Sequence, residues 1–173
     1  MDIDIPGLYA NIKDTVLVEN LHAALERKTN LSLILGLIDG VDEIRSMYGA
    51  VSCDGASNTI ERSLRARFGD YSLRAGDFFL VLLTGDEATN AKEITESIRA
   101  SVENQEGFVV PSLDAVPIEI LSLVERIHIT MHFGVTRASS HWTTLSGFQE
   151  LVKAAEDAIT KGQRKLVANR VFV

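Results

Sequence analysis

Cysteine is nearly absent from this sequence. The 173 residues include a single cysteine, Cys53, which excludes an internal disulfide and any metal site built from a cysteine cluster. Proline is scarce as well, and two of the three prolines, Pro111 and Pro117, lie within residues 103–126. The mixed spacing of apolar residues around them predicts an irregular excursion with a short element at residues 118–123.

Long hydrophobic runs are missing too. The longest candidate is interrupted by Asp39 and the charges after it, short of the roughly 18 apolar residues that a membrane span requires. The first residues, Met-Asp-Ile-Asp-Ile-Pro, lack the basic flank and the long apolar stretch of a signal peptide. We therefore expect a cytoplasmic protein with no membrane association.

Positive charge is in deficit. Seventeen Lys and Arg residues face 24 Asp and Glu residues, for a formal net charge of −7, which argues against sequence-independent nucleic-acid binding. A hydrophobic content of 46% with 24% charged residues is typical of a globular protein. Because repeats, low-complexity tracts and linkers are also missing, residues 1–173 are expected to form a single domain.

The stretch from Ser72 to Leu83 (SLRAGDFFLVLL) predicts a tight β-hairpin. Gly76 and Asp77 are turn formers that stand between its two arms. The second arm, residues 78–83, is apolar throughout, as expected for a strand buried on both faces. A turn above buried strands is a good place to present a ligand, although an ordinary hairpin would show the same pattern.

The rest of the chain mixes helices and strands. Residues 31–39 (LSLILGLID) are nearly all apolar and end at a turn, which predicts a central strand. Alternating apolar residues predict a half-buried strand at residues 127–136, and residues 169–173 can close the sheet as an edge strand. Helical spacing predicts helices at about residues 15–27, 41–48, 56–67, 86–102 (capped by Asp86) and 148–159. This mixture predicts an α+β fold with helices packed on a sheet.

Two carboxylates at predicted turns are candidate Mg²⁺ ligands. Asp39 ends the central strand, where open sheets commonly bind ligands, and Asp77 lies in the hairpin turn. Because Asp is also an ordinary turn residue, we favour the structural role for both.

Histidine and cysteine offer weaker candidates. His128 and His132 fall on one face of the strand at residues 127–136, the face predicted to be exposed, and could share a metal. Since no third ligand is apparent nearby, we favour solvated histidines. Cys53 has no indicated base and is predicted to be a small, half-buried residue.

Arginines concentrate around the hairpin of this acidic chain. Guanidinium groups bind phosphates and guanine edges in a planar, bidentate fashion, and Asp70 could accept hydrogen bonds from a guanine. The alternative is a solvated helix face with Glu61 and Asp70 as local partners. The arginines concerned are Arg62, Arg65, Arg67 and Arg74.

The order of these elements and motifs resembles the GGDEF domain family, the diguanylate cyclases and their inactive relatives. The opening Asp4-Ile-Pro-Gly-Leu-Tyr-Ala-Asn11 is similar to D-x-L-T-G-L-x-N-R, and LSLILGLIDGVDEIRSMYG is similar to the first strand and following helix. Arg-Ala-Gly-Asp-Phe-Phe, 74 to 79, stands where R-x-G-G-D-E-F belongs, and His-Phe-Gly-Val-Thr, 132 to 136, where S-I-G-V-A belongs. The closing A-D-x-A-L helix and N-R-V of the family have counterparts at residues 153–159 and 169–171. The resemblance therefore covers essentially the whole chain. It implies a nucleotidyl-cyclase or palm-like fold, with a central, mainly antiparallel sheet flanked by helices.

The departures from the family pattern imply lost catalysis. The first metal-binding Asp of the family falls on Leu37, while Asp39 matches the second, less critical one. The phosphate-contacting Lys falls on Asp42 and the guanine-binding Asn on Arg45, whereas the second guanine-binding position is kept at Asp54. Asp39 and Asp54 would then be remnants of a nucleotide pocket.

The GGDEF motif itself fits in two registers, residues 75–79 or 76–80. Either way the metal-binding acid of the family is a phenylalanine, Phe78 or Phe79. A cyclase needs a carboxylate pair to hold two metal ions, so the resemblance implies an inactive member that binds no Mg²⁺ or other cofactor.

One ligand site of the family survives in form. Its product-binding site is an R-x-x-D sequence shortly before the motif, and Arg67-Phe-Gly-Asp70 has that form, with the family spacing if the motif starts at Gly76. The resemblance therefore implies a non-catalytic cyclic di-GMP receptor using Arg67 and Asp70, assisted by Arg74. A further arginine often comes from the next helix in this family, and Arg99 lies near that position. A protein partner of unknown identity is also expected. The alternative is an interaction module that has lost both sites.

Overall fold

The computed structural model describes residues 10–104, 108–109, 126–127, 129–138, 144–164 and 171–172. Within these ranges the helices are α1 Val16–Glu26, α2 Val41–Tyr48, α3 Ala50–Phe68, α4 Asp86–Thr89, α5 Ala91–Glu103 and α6 Thr144–Arg164. The strands are β1 Leu31–Ile38, β2 Ser72–Ala75, β3 Phe78–Thr84, β4 Phe108–Val109, β5 Arg126–Ile127, β6 Met131–Arg137 and β7 Val171–Phe172. A single 3₁₀ turn, Gly69–Tyr71, joins α3 to β2.

Strand β1 occupies the middle of a five-stranded sheet. The strand order is β2-β3-β1-β6-β7, and every pairing is antiparallel except that between β6 and β7. All eight residues of β1 are buried, which explains why its sequence is a continuous apolar run. The predicted α+β fold with a mainly antiparallel sheet flanked by helices is confirmed.

Helices cover both faces of the sheet and create two apolar clusters. One cluster joins Ile34 and Phe133 of the sheet to Ile60 of α3 and Ile98 of α5. The other joins Leu33 and Leu82 to side chains of α1 and α6, among them Leu21 and Val152. Burying a leucine or isoleucine completely contributes roughly 1.5–3 kcal/mol, so these two clusters supply most of the driving force for folding.

The hairpin forms where the sequence predicts it. Ala75 pairs with Phe78, which leaves Gly76 and Asp77 as the two-residue turn. Gly76 has a φ of 62°, a conformation that costs glycine little because it has no Cβ.

Two predicted helices have different bounds in the structure. The helix predicted at residues 56–67 begins at Ala50, directly after Gly49, whose φ of 85° separates α2 from α3. The helix predicted at residues 86–102 is interrupted at Asn90. Asp86 is the first residue of α4 and not its cap, because Gly85 occupies that position.

The strand predicted at residues 127–136 is also divided. Arg126–Ile127 pairs with Phe108–Val109 in a separate two-stranded ladder, and the central-sheet strand begins at Met131. Residues 131–135 are all buried, so the predicted exposed face of this strand is wrong. Both faces are covered because α5 and α6 each pack against β6.

Several predictions fall on residues outside the described ranges. These concern the opening motif at residues 4–9, the element at residues 118–123 and His128. The predicted edge strand at residues 169–173 is confirmed for Val171–Phe172, which pairs parallel to β6. Over the described part of the chain, none of the helices is long and apolar enough to cross a membrane.

A close approach of backbone to backbone explains a glycine in β6. A Cβ added to Gly134 would lie 2.1 Å from the carbonyl oxygen of Ala155 in α6. Only a residue without a side chain lets the helix lie this close to the strand, and a backbone oxygen cannot rotate away as a flexible side chain can.

We expect Gly134→Ala to lower the free energy of unfolding by roughly 1–3 kcal/mol or more, because α6 has to move off the sheet. Gly55→Ala is the matched control, since Gly55 lies within α3 and its added Cβ would meet no atom within 4 Å. That change should stabilise by roughly 0.5–1 kcal/mol through helix propensity. Urea denaturation of both variants measures the difference, and an equal effect at the two positions would contradict the packing argument.

Candidate functional site

An apolar pair stands at the end of the central strand. Leu37 of β1 lies directly opposite Phe78 of β3, and on its other side it lies opposite His132 of β6. Side chains directly opposite one another in antiparallel strands project from the same face. Leu37, Phe78 and His132 therefore form a row across the sheet.

Asp39 lies just beyond this row and is held by β6. Thr130 donates its hydroxyl to Asp39 Oδ2 at 2.6 Å, and Nδ1 of His132 contacts Asp39 Oδ1. The backbone N–H of Asp39 also donates to the carbonyl of Thr130 at 2.9 Å. The carboxylate thus links the end of β1 to the start of β6, a contact across the sheet that the turn role preferred for Asp39 did not predict.

His132 is not the solvated histidine predicted from the sequence. Only 6% of the residue is exposed, and its ring lies against Asp39. Burial on both faces of β6 places this polar ring inside the fold, and the contact with a carboxylate compensates its lost hydration.

The hairpin turn is tied to α2 by an ion pair. Nη2 of Arg45 donates to Asp77 Oδ1 at 2.6 Å, while Nη1 of the same side chain reaches Asp42 at 3.2 Å. The charge of Asp77 is the main cause that raises the pKa of Arg45 above its ordinary value. Asp77 therefore serves as an anchor for Arg45.

A second set of contacts ties the hairpin to α3. Arg74 of β2 donates to Asp54 at 3.1 Å, to the side chain of Asn58 at 2.7 Å and to the carbonyl of Gly76 at 2.9 Å. Only 17% of the Arg74 side chain is exposed. The structure thus joins Arg74 to Asp54, a residue predicted to belong to a different site.

Arg67 and Asp70 lie at the other end of α3. Arg67 is exposed in the last turn of the helix, where it donates to the hydroxyl of Ser97 in α5 at 3.2 Å and stacks 5.0 Å from the ring of Phe68. Asp70 is exposed in the Gly69–Tyr71 turn. The structure therefore separates these two residues from Arg74. The hydrogen bonds of Arg74 go to the hairpin turn and to Asp54 and Asn58 in the N-terminal half of α3.

Arg99 is committed to its own helix. Its guanidinium group donates to Glu96 and to Glu103, both at 2.8 Å. The hydrogen bond that Arg99 donates to Glu96 is the largest cause that raises the pKa of Arg99. An arginine held between two carboxylates is poorly available to an anionic ligand.

Cys53 is more deeply buried than the sequence suggested. It is 1% exposed, and burial raises the pKa of its thiol. A thiol in this state is a weak nucleophile at neutral pH, so Cys53 serves packing.

Comparison with known proteins adds a family context. No protein-family model matches the chain. Among curated proteins it is similar to diguanylate cyclase A of Treponema denticola, with 26% identity over 156 residues, 87% of this chain and 38% of that protein.

Solved structures give the stronger likeness. The GGDEF domain of DgcB from Caulobacter crescentus, in complex with c-di-GMP, superposes with a TM-score of 0.69 at 17% identity, over 90% of this chain and 82% of that one. The fold is that of a GGDEF domain. Diguanylate cyclase SiaD of Pseudomonas aeruginosa, in complex with its activator SiaC, also superposes with a TM-score of 0.69, at 22% identity and over 90% of this chain. The chain spans 55% of SiaD and 38% of the Treponema cyclase.

Strand pairing places the two phenylalanines of the hairpin on opposite faces of the sheet. Two carboxylates can share metal ions only if they project from the same face of the sheet. Phe78 shares a face with Leu37, whereas Phe79 lies opposite Gly36 and projects from the other face. Phe78 is therefore the phenylalanine that shares the face of Leu37 at the end of β1, and Phe79 shares the face of Gly36.

The side chains at this end of the sheet do not fit the pair of metal ions that an active cyclase of the GGDEF family would hold. Leu37 and Phe78 offer no oxygen ligand, Asp39 is hydrogen-bonded to Thr130, and Asp77 is paired with Arg45. In the described ranges, no group of three or more His, Cys, Asp or Glu side chains is arranged to hold a metal.

Two contacts could not be predicted from the sequence. Arg45 and Asp77 are 32 positions apart, and Asp39 and His132 are 93 apart. A polar residue within an apolar strand, such as His132, was the available signal for a buried contact.

We expect Phe79→Ala to lower the free energy of unfolding by roughly 3–5 kcal/mol, since Phe79 is 1% exposed in the core. Phe78→Ala should cost less, because Phe78 is only half-buried. Urea denaturation compares the two, and a change below about 1 kcal/mol at Phe79 would contradict the packing.

Proposed function

We propose that this GGDEF-like domain does not synthesise a cyclic dinucleotide and acts as a non-catalytic receptor for cyclic di-GMP. The pairing of Leu37 with Phe78 carries the first half of the proposal. Phosphoryl transfer in this family depends on metal ions held by carboxylates, and neither a leucine nor a phenylalanine can bind or position them.

The distribution of ion pairs supports the second half of the proposal, the assignment as a receptor for cyclic di-GMP. Arg45, Arg74 and Arg99 are each neutralised by a carboxylate. Arg67 is different, because its hydrogen bond goes to the neutral hydroxyl of Ser97. Its guanidinium charge therefore remains available to a phosphate, and exposed Asp70 lies three residues further on.

Arg74 has a lesser part in this proposal than the sequence suggested. To bind a ligand phosphate it would have to leave Asp54 and Asn58. We therefore assign recognition to Arg67 and Asp70, with Arg74 contributing only if the hairpin contacts are released. Complexes of neighbours with c-di-GMP and with an activator protein make both kinds of partner reasonable for this chain.

Incubation with GTP and Mg²⁺ or Mn²⁺ should yield no cyclic dinucleotide. An active GGDEF domain assayed in parallel provides the positive control, and chromatography detects the product. Product that rises in proportion to the amount of this protein, above a no-protein control, would overturn the non-catalytic assignment.

Isothermal titration with cyclic di-GMP tests the receptor assignment. Arg67→Ala should weaken binding roughly ten- to a hundred-fold, because a charge-assisted, bidentate contact is lost. Arg62→Ala is the matched control, because Arg62 is also exposed on α3 and its replacement by alanine removes the same charge. Binding should also weaken as salt is raised.

If the wild-type domain gives no heat at tens of micromolar ligand, the receptor assignment fails. The alternative, an interaction module without a ligand, would then account better for the chain. Equal losses in Arg67→Ala and Arg62→Ala would mean general attraction of an anion and would also count against a defined site.

A further inference from the structure

A second concave site lies away from the residues considered so far. A pocket of about 170 Å³ opens between the C-terminal half of α1, the end of β3 and the Gly69–Tyr71 turn. Ala23 and Ala24 contribute apolar surface, and the other lining residues are polar: Asn20, Arg27, Thr29, Tyr71 and Thr84.

Backbone hydrogen bonds hold the walls of this pocket in place. The N–H groups of Arg27 and Thr29 donate to the carbonyls of Ala23 and Ala24, at 3.1 and 3.0 Å, which fixes the end of α1. Gly85 N–H donates to the carbonyl of Asn30 at 2.9 Å and joins the same loop to the end of β3. On the opposite wall, Ser72 Oγ donates to the carbonyl of Gly69 at 2.9 Å. The pocket is therefore preformed, as ligand sites usually are.

The polar side chains around the pocket are uncommitted. Across the described part of the chain, none of the five makes a side-chain hydrogen bond or an ion pair with another residue. Each of them can donate a hydrogen bond, and the described lining contains no carboxylate. This combination selects for a negatively charged ligand.

The helix end does not oppose an anion as strongly as a bare C-terminus would. The last carbonyls of a helix carry partial negative charge. Here those of Ala23 and Ala24 already accept hydrogen bonds, and Arg27 adds a full positive charge beside them. Tyr71, which is 39% exposed, adds an aromatic surface to the wall.

We propose that this pocket binds a small organic anion, a carboxylate or phosphate, through the guanidinium group of Arg27. Its volume of about 170 Å³ equals roughly six water molecules at ~30 Å³ each, which is enough for a benzoate-sized molecule and too small to enclose a dinucleotide. The site is thus distinct from the receptor site at Arg67 and Asp70 and does not rest on that function.

Titration of the ¹⁵N-labelled domain with benzoate and, separately, with inorganic phosphate tests the proposal. We expect saturable amide shifts centred on Asn20, Arg27, Thr29, Tyr71 and Thr84. Arg27→Gln should weaken the binding about tenfold or more, since it removes the charge and keeps a similar side-chain length. Lys28→Gln is the matched control, because it removes the adjacent exposed charge, which does not line the pocket.

Circular dichroism of both variants establishes that they are folded. Saturation by benzoate alone would identify an organic carboxylate as the ligand class, and saturation by phosphate alone a phosphate. Absence of saturable shifts for both probes at 10 mM would overturn the proposal. Equal weakening in Arg27→Gln and Lys28→Gln would overturn it too, because it would indicate general attraction to a basic surface.

Discussion

The position of β1 between two antiparallel neighbours is the constraint on which the rest of this structure depends. Its backbone is hydrogen-bonded to β3 on one side and to β6 on the other, and all its residues are buried. A shift of one residue would move every side chain to the opposite face, so the register cannot change without exposing the core. This register places Leu37 against Phe78 and brings Asp39 to His132.

The apolar pair of Leu37 and Phe78 affects the electrostatics at this end of the sheet. Two carboxylates at directly opposite positions repel each other, and a bound cation would have to compensate them. Leu37 and Phe78 place apolar side chains at these opposed positions, where no such repulsion arises. Gly36 and Phe79 occupy the other face, where the phenylalanine is part of the core.

The arginines are distributed unevenly between structural and available roles. Arg45 and Arg74 hold the hairpin to α2 and α3 through partly exposed pairs, which typically contribute only fractions of a kcal/mol. Their more important effect is that the guanidinium charges of both arginines are neutralised by carboxylates beside the turn. Arg67 and Arg27, which lack a carboxylate partner in the described part of the chain, retain their charge for an external anion. The Gly69–Tyr71 turn carries both Asp70 and Tyr71, so the two proposed sites share one short segment of backbone.

The sequence by itself determined the elements whose pattern is local. The apolar run of β1, the Gly76-Asp77 turn and the helix at residues 41–48 were predicted because each depends on neighbouring residues. The α+β fold and its resemblance to GGDEF domains followed from the order of these patterns. The tertiary structure alone decided which charges meet, because contacts such as Arg45–Asp77 join residues distant in sequence. It also decided the burial of His132, since periodicity describes one strand, whereas burial depends on the helices that cover both of its faces.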